Sequence, residues 1–239
     1  MDARPAGSLR PRSRPRAYLL LARISNLPTV WTNVLAAYVC AIAPLETIPI
    51  ALLSLSLFYT AGMFLNDVCD VRFDAKARGD RPIPNGDVGR GEALTIVVVL
   101  FVAALALLLR QPHPGPAINW ALALIVAITV YDFSHKGKWY GPVLMGGCRA
   151  LVYCVAAAGA TGVVEAAVPI PAVAMWLYVM ALTWVAKAAN LGYAVPWMLA
   201  GICLVDAAII LLMGQPQLAL IAALGFPLTL VLQRFVPGT

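Results

Sequence analysis

Long apolar runs alternate with short polar segments along almost the whole chain. Each run is close to the roughly 20 residues that a helix needs to cross the hydrocarbon core of a bilayer. Strands of a membrane β-barrel would alternate apolar and polar residues, and these runs do not alternate. The pattern therefore predicts an all-α, polytopic membrane helix bundle of about eight transmembrane helices. The predicted spans are residues 18–43, 47–65, 93–109, 117–131, 142–163, 168–188, 191–213 and 217–232.

Composition agrees with this prediction. Of the 239 residues, 62% are hydrophobic and 12% are charged, and the mean hydropathy is +0.84. Soluble domains carry about 25% charged residues, so no water-soluble domain of useful size is expected between the spans. The five cysteines show no Cys-x-x-Cys pairing and mostly fall within spans, so neither a disulfide nor a zinc site is expected.

The basic residues are concentrated in alternate connecting segments, and this distribution predicts the orientation in the membrane. The positive-inside rule places both termini and the segment between the second and third spans in the cytoplasm. The net charge of +6 therefore reflects membrane topology, and no nucleic-acid partner is expected. The cytoplasmic group comprises Arg4, Arg10, Arg12, Arg14, Arg16, Arg72, Lys76, Arg78, Arg81, Arg90, Lys136, Lys138, Lys187 and Arg234.

The first sixteen residues differ from the rest of the chain. Residues 1–16 are basic and rich in Pro, Arg and Ser, which predicts a disordered cytoplasmic segment close to anionic lipid headgroups. The following apolar segment has no clean small-residue cleavage site, so it is interpreted as a retained span. Residues 17–239 are predicted to form one transmembrane domain.

A regular series of acids follows the second apolar run directly. Asp67, Asp70 and Asp74 are spaced i, i+3 and i+7, so they share one face if the helix continues past the span. Acids at a span end are costly without a partner, and a divalent cation such as Mg²⁺ relieves their repulsion while bridging to phosphates. Arg78 and Arg81 follow within reach of phosphate oxygens. The segment predicts a metal-diphosphate site, and the alternative is a solvated cytoplasmic loop.

The segment from Asn66 to Gly86, with its Arg-Pro-Ile-Pro run at residues 81–84, resembles the first aspartate motif of the UbiA superfamily of intramembrane prenyltransferases. The resemblance implies a UbiA-like bundle in which the three aspartates hold Mg²⁺ and the diphosphate of a polyprenyl donor. Asn66, Arg78 and Arg81 are then expected to contact that substrate. The run from Met145 to Tyr153 further resembles a divergent branch of the superfamily encoded with ebo biosynthetic clusters.

Polar residues in other spans fit the same interpretation. Tyr131 and Lys136 lie in a cluster at the end of the fourth span that resembles one in UbiA relatives, although Lys136 is equally explained as a membrane anchor. Arg149 lies inside a span, so it needs a partner or a wet cavity. Asn33 of the first span is expected either to line the central cavity or to bond a neighbouring helix.

The chain departs from the UbiA pattern where most members carry a second aspartate cluster, at the end of the sixth span. Thr183, Lys187 and Asn190 form the polar face there, and none of them is acidic. Lys187 is predicted either to bind a diphosphate oxygen or to extend to the membrane interface. Asp206, an acid within the seventh span, is expected to pair with Lys187 or Arg149 or to lie near water.

The predicted function is Mg²⁺-dependent transfer of a prenyl group from a polyprenyl diphosphate to an unidentified acceptor, at the cytoplasmic side of the bilayer. An alternative is a non-catalytic UbiA-like protein that binds a prenyl lipid or metabolite, or the membrane subunit of an export system. A CDP-alcohol phosphotransferase is excluded, because its motif needs Asp-Gly and an intervening Ala-Arg, whereas Val71 follows Asp70 here.

Overall fold

The computed structural model describes residues 12–134, 138–187 and 191–238. Within these ranges the chain is helical and contains no strand, which confirms the predicted all-α bundle. Seven of the helices in the described ranges are long and apolar enough to cross a membrane. The helices are α1 Arg14–Ala22, α2 Leu27–Cys40, α3 Ile48–Ala77, α4 Arg90–Leu108, α5 Pro114–Ser134, α6 Gly141–Thr161, α7 Pro169–Lys187, α8 Val195–Leu212 and α9 Pro216–Gln233.

The first predicted span, residues 18–43, is not one helix in the structure. It consists of α1 and α2 joined by a short 3₁₀ turn at Ile24–Asn26. Arg23 ends α1 in a left-handed conformation with φ 44°. Pro28, in the first turn of α2, lacks a backbone N–H, so a helix running through from α1 would lose a hydrogen bond there. The break leaves Arg23 beside α3 rather than on a regular helical face.

The second predicted span is longer than expected. Helix α3 has 30 residues, about 45 Å at 1.5 Å per residue, whereas the bilayer core is about 30 Å thick. The connection between the second and third predicted spans is therefore shorter than expected, because the helix continues to Ala77 and α4 begins at Arg90. All three aspartates lie on the part of α3 that continues past the predicted span, which is the condition under which they were expected to share one face.

The N-terminal segment packs over the shortened loop. Arg12 pairs with Asp87 at 3.3 Å, and Arg14 pairs with Glu92 of α4 at 2.8 Å. Helix α1 begins at Arg14, so the predicted disordered segment ends earlier than residue 16. Residues 1–11 lie outside the described part of the chain.

Helix α2 occupies the centre of the bundle, because it packs against α3, α6, α8 and α9. Its side chains are mostly buried, and small residues such as Ala36 and Ala37 let neighbouring helices approach closely. Helices α4, α5 and α9 lie at the periphery, where most residues of each candidate span are not buried. Their outward side chains are large and apolar, as expected of surfaces that contact lipid.

Helices α6 and α7 cross at Gly146, and we expect Gly146→Ala to destabilise the protein. A Cβ there would meet the backbone oxygen of Trp176 at 2.5 Å, and it would displace an indole that donates a hydrogen bond to Val143 O at 2.8 Å. Overpacking of this kind costs about 1–3 kcal/mol. Thermal unfolding in detergent measures the effect. Gly147→Ala is the matched control, because no atom lies within 4 Å of its Cβ position; equal melting temperatures would contradict the prediction.

Candidate active site

A cavity of about 510 Å³ lies among the central helices and is amphipathic along its length. Leu55 and Phe58 of α3 and Leu124 of α5 line its apolar part. Further along α3 the wall becomes polar, and the loop after α3 adds Arg78 and Arg81 at that end. An apolar tail and an anionic headgroup can therefore be accommodated by one cavity.

The polar wall of α3 consists of Asn66, Asp70 and Asp74, which all line the cavity. Their spacing of four residues places them on successive turns of one helical face. Asp74 is buried, with 5% of its surface exposed. The structure thus brings two of the three predicted aspartates to the cavity, together with the predicted Asn66.

Asp67 has a different position from its two companions, since it is buried beside the cavity wall against two cations. Its Oδ1 lies 2.8 Å from Arg23 Nη2 and 3.1 Å from Arg81 Nη1. Burial lowers the pKa of the Arg81 guanidinium, although arginine stays charged in proteins. As a metal ligand Asp67 stays a prediction, while its contacts in the structure hold two arginines at the polar end of the cavity.

Asp132 of α5 also lines the cavity, and the sequence analysis did not assign it to the site. It is 5% exposed, and its Oδ1 accepts a hydrogen bond from Asn66 Nδ2 at 3.1 Å. Its neighbour Tyr131, a predicted substrate contact, lines the cavity as well. The signal was available, because an acid at the end of an apolar span is as costly as those on α3.

Arg149 of α6 also lines the cavity and has defined partners. Its guanidinium donates to Asn33 Oδ1 at 2.9 Å and to Thr29 Oγ1 at 3.0 Å. It also lies over the Tyr59 ring, 5.6 Å from the centroid, a distance at which a cation is attracted to an aromatic face. Asn33 therefore acts on the cavity through Arg149, since it is itself fully buried.

Asp206 of α8 accepts hydrogen bonds from Asn33 and from two further residues behind it. Asn33 Nδ2 donates to Asp206 Oδ2 at 2.8 Å, and Thr32 and Tyr153 donate to the same carboxylate. Among the described residues it forms no ion pair with Arg149 or Lys187. Asp206 is linked to Arg149 through Asn33, so it positions the amide that holds the guanidinium.

Lys187, the last residue of α7, reaches the cavity at its polar end. Its Nζ lies 3.3 Å from the backbone oxygen of Lys138, and Thr183 lines the cavity one turn earlier. The predicted residues Lys136 and Asn190 lie outside the described residues. The described cavity thus has acids on α3 and α5 and cations on α6, on α7, on the α3–α4 loop and at Arg23 between α1 and α2.

The carboxylates fit a cation that shares its coordination with a substrate. No group of three His, Cys, Asp or Glu side chains converges on one point in the described ranges. Mg²⁺ is commonly held by one or two carboxylates together with substrate phosphates rather than by an all-protein cage. Asp70 and Asp74 supply hard oxygen ligands at the cavity wall, so these residues fit such a metal.

Comparison with known proteins gives a family and several relatives. The UbiA prenyltransferase family matches residues 25–192. Digeranylgeranylglyceryl phosphate synthase of Sulfolobus acidocaldarius is 30% identical over 132 residues, which are 54% of this chain and 46% of that protein. 4-Hydroxybenzoate octaprenyltransferase of Alkalilimnicola ehrlichii is 28% identical over 181 residues, covering 72% and 59%. The chain thus spans about half the length of the curated relatives it matches.

Solved structures show the same fold. A UbiA homolog from Archaeoglobus fulgidus bound to DMAPP and Mg²⁺ aligns with a TM-score of 0.60 over 91% of this chain and 85% of that one, at 15% identity. A structure of digeranylgeranylglyceryl phosphate synthase aligns with a TM-score of 0.58 over 94% and 98%, also at 15% identity. At such identities the likeness establishes the architecture alone, and it agrees with the predicted bundle.

Proposed function

The chain belongs to the UbiA prenyltransferase family, and from that premise we propose that it transfers a prenyl group from a polyprenyl diphosphate to an acceptor within the membrane, in a Mg²⁺-dependent reaction. The observation that carries the proposal is one cavity in which an apolar length meets a polar end lined by both acids and cations. The A. fulgidus homolog bound to DMAPP and Mg²⁺ supports it as a precedent for this ligand class.

The basic wall accounts for departure of the leaving group. Arg78 and Lys187 line the cavity at its polar end, where a diphosphate gains negative charge as its C–O bond breaks, and Arg149 adds a third cation to the lining. Fixed cations aimed at developing charge lower the barrier without reorganising during the reaction. Bound Mg²⁺ supplies further neutralisation of the phosphate oxygens. The two arginines that Asp67 holds add positive potential at the same end.

The apolar wall protects the allylic cation that is left when the C–O bond of the donor breaks. Leu55, Phe58 and Leu124 exclude water from the cavity beside the polar end, so hydrolysis of a reactive cation is suppressed. The Tyr59 ring also lines the cavity, with the Arg149 guanidinium over it. The acceptor then forms the new bond to the prenyl carbon and releases a proton.

The experiment that tests this function uses the purified chain in lipid nanodiscs with labelled prenyl diphosphates of several lengths. Two acceptors follow from the names of the relatives, 4-hydroxybenzoate and a prenylglyceryl phosphate. We expect pyrophosphate release and a prenylated product with Mg²⁺, and neither in EDTA. Product formation that is unchanged in EDTA would contradict the metal requirement.

A second candidate is a non-catalytic binder of a prenyl lipid, and the end of α7 favours it. Lys187 and Thr183 occupy the cavity where most relatives place a second acidic cluster, so one metal site is lost from that wall. The same experiment separates the candidates. Saturable binding of prenyl diphosphate, without pyrophosphate release for any acceptor, would identify a binder.

We expect Lys187→Ala to weaken binding of the diphosphate donor by about tenfold, because a charge-assisted hydrogen bond contributes about 1.5–3 kcal/mol and this lysine is partly solvated. Titration of nanodiscs with a non-cleavable donor analogue measures the affinity. Lys76→Ala removes the same charge from an exposed position at the end of α3 and is the matched control. Equal affinities of the two variants would assign Lys187 to the membrane interface instead.

The active site is proposed to face the cytoplasm, because the polar end of the cavity is formed by segments that carry the basic residues. We expect Asp80→Cys, which is exposed between α3 and α4, to resist an impermeant thiol reagent in intact cells. Glu165→Cys, exposed between α6 and α7, should react. The native cysteines are buried or half-buried. The opposite labelling pattern would reverse the orientation.

A further inference from the structure

One oxygen of the Asp132 carboxylate has a hydrogen-bond partner among the described residues, and the other has none. Its Oδ1 accepts from Asn66 Nδ2 at 3.1 Å, whereas its Oδ2 is buried and has no hydrogen-bond partner among the described residues. The side chain is 95% buried and lines the cavity. A buried carboxylate oxygen without a partner is costly. The position is therefore explained best by a cation that binds from the cavity.

The bond to Asn66 fixes where that cation would lie. Asn66 and Asp70 are four residues apart on α3, so they occupy successive turns of one face. Asp132 approaches this face from α5 and contacts it at Asn66. Two helices, α3 and α5, thus present carboxylates to the cavity, which Arg149 and Lys187 also line.

We propose that Asp132 is a ligand of the divalent metal, providing Oδ2 from α5 beside the Asp70 carboxylate of α3. This inference rests on the proposed function, because the metal is shared with a diphosphate. It explains how a chain without acids at the end of α7 keeps a second helix in the metal site. Two carboxylates and phosphate oxygens form the hard ligand set that Mg²⁺ prefers.

Asp132→Asn isolates the proposed role. The amide oxygen still accepts the bond from Asn66, while the amide nitrogen replaces Oδ2 and cannot bind a cation. The measurement is Mn²⁺ affinity by electron paramagnetic resonance in nanodiscs with geranyl thiolodiphosphate, a non-cleavable donor analogue. We expect affinity to fall by tenfold or more. Asp80→Asn, which is exposed in the α3–α4 loop, is the matched control and should match the unmodified protein.

A second variant tests direct ligation independently of folding effects. Asp132→Cys places a soft thiolate at the same point, so the preference for Cd²⁺ over Mn²⁺ should rise by at least tenfold. A residue that does not contact the metal would not change the metal preference in this way.

The outcomes separate this inference from the function on which it rests. If the unmodified protein and Asp132→Asn bind Mn²⁺ equally in the presence of the analogue, the assignment of Asp132 is overturned and the function stands. If the unmodified protein binds the analogue without any metal dependence, both fall. An unchanged metal preference in a folded Asp132→Cys protein also overturns the assignment.

Discussion

Asp70→Asn is expected to reduce the rate of Mg²⁺-dependent prenyl transfer by at least about 100-fold. Asp70 lines the cavity on the polar face of α3, and the substitution replaces a charged oxygen ligand with a neutral amide. Loss of one group that stabilises developing charge costs about 100- to 1000-fold in turnover. The measurement is pyrophosphate release at saturating donor and acceptor, at several Mg²⁺ concentrations.

The control for this prediction is Asp80→Asn, which makes the same chemical change at an exposed residue after α3. Its turnover should equal that of the unmodified chain. A folded Asp70→Asn protein with turnover within a few-fold of that value would remove Asp70 from the metal site. Its melting temperature reports folding, so a loss of activity can be separated from a loss of structure.

Asp67→Asn is expected to show the larger loss of stability, about 3–5 kcal/mol, although it lies only three residues from Asp70. Its carboxylate is the ion-pair partner of both Arg23 and Arg81, whose side chains are 14% and 15% exposed. Removing one member of a buried pair leaves an uncompensated charge, and here two guanidiniums lose their partner. Thermal unfolding in detergent, with Asp70→Asn measured alongside, checks the prediction.

A double variant makes this stability test specific. Arg81→Gln removes one of the two charges that Asp67→Asn would leave unpaired, so the combined variant should lose less stability than the sum of the single losses. Independent, additive losses would show that Asp67 does not hold Arg81. Equal melting temperatures for Asp67→Asn and Asp70→Asn would contradict the distinction between them.

Helix content and the main motif were predictable from the sequence, because both depend on local patterns. Apolar runs of bilayer length leave helix as the only backbone arrangement that satisfies its own hydrogen bonds. The acids after Leu65 continue the same helix, so their spacing alone placed Asp70 and Asp74 on one face. The family resemblance rested on these residues, and the match to residues 25–192 confirms it.

The remainder depended on contacts between distant parts of the chain. Arg23 breaks the first span, and nothing in the apolar pattern showed that its guanidinium would be needed at Asp67, 44 positions away. The partners of Arg149 lie on α2, more than 100 positions earlier in the chain. Helix spacing identifies the face of a side chain, but the packing of several helices decides which faces meet.

The positions of the Asp67 and Asp132 side chains show the same limit of sequence-based prediction. Both acids are adjacent to predicted site residues, and one turns to arginines while the other turns into the cavity. A rotation of about 100° between consecutive helical positions is enough to exchange these roles. Sequence spacing on α3 therefore favoured three equivalent carboxylates, whereas the structure distinguishes Asp67 from the two that line the wall.

The length of α3 gives the cavity a scale against which a hydrocarbon chain can be measured. Leu55 and Asp70 both line it and are fifteen positions apart, a rise of about 22 Å along the helix axis. Each helical turn from the acid toward Leu55 adds about 5.4 Å of depth. Bulky substitutions placed at successive turns of this face would shorten the cavity in steps of one helical turn. The length of the prenyl donor that each variant accepts could then be compared with the position of its substitution.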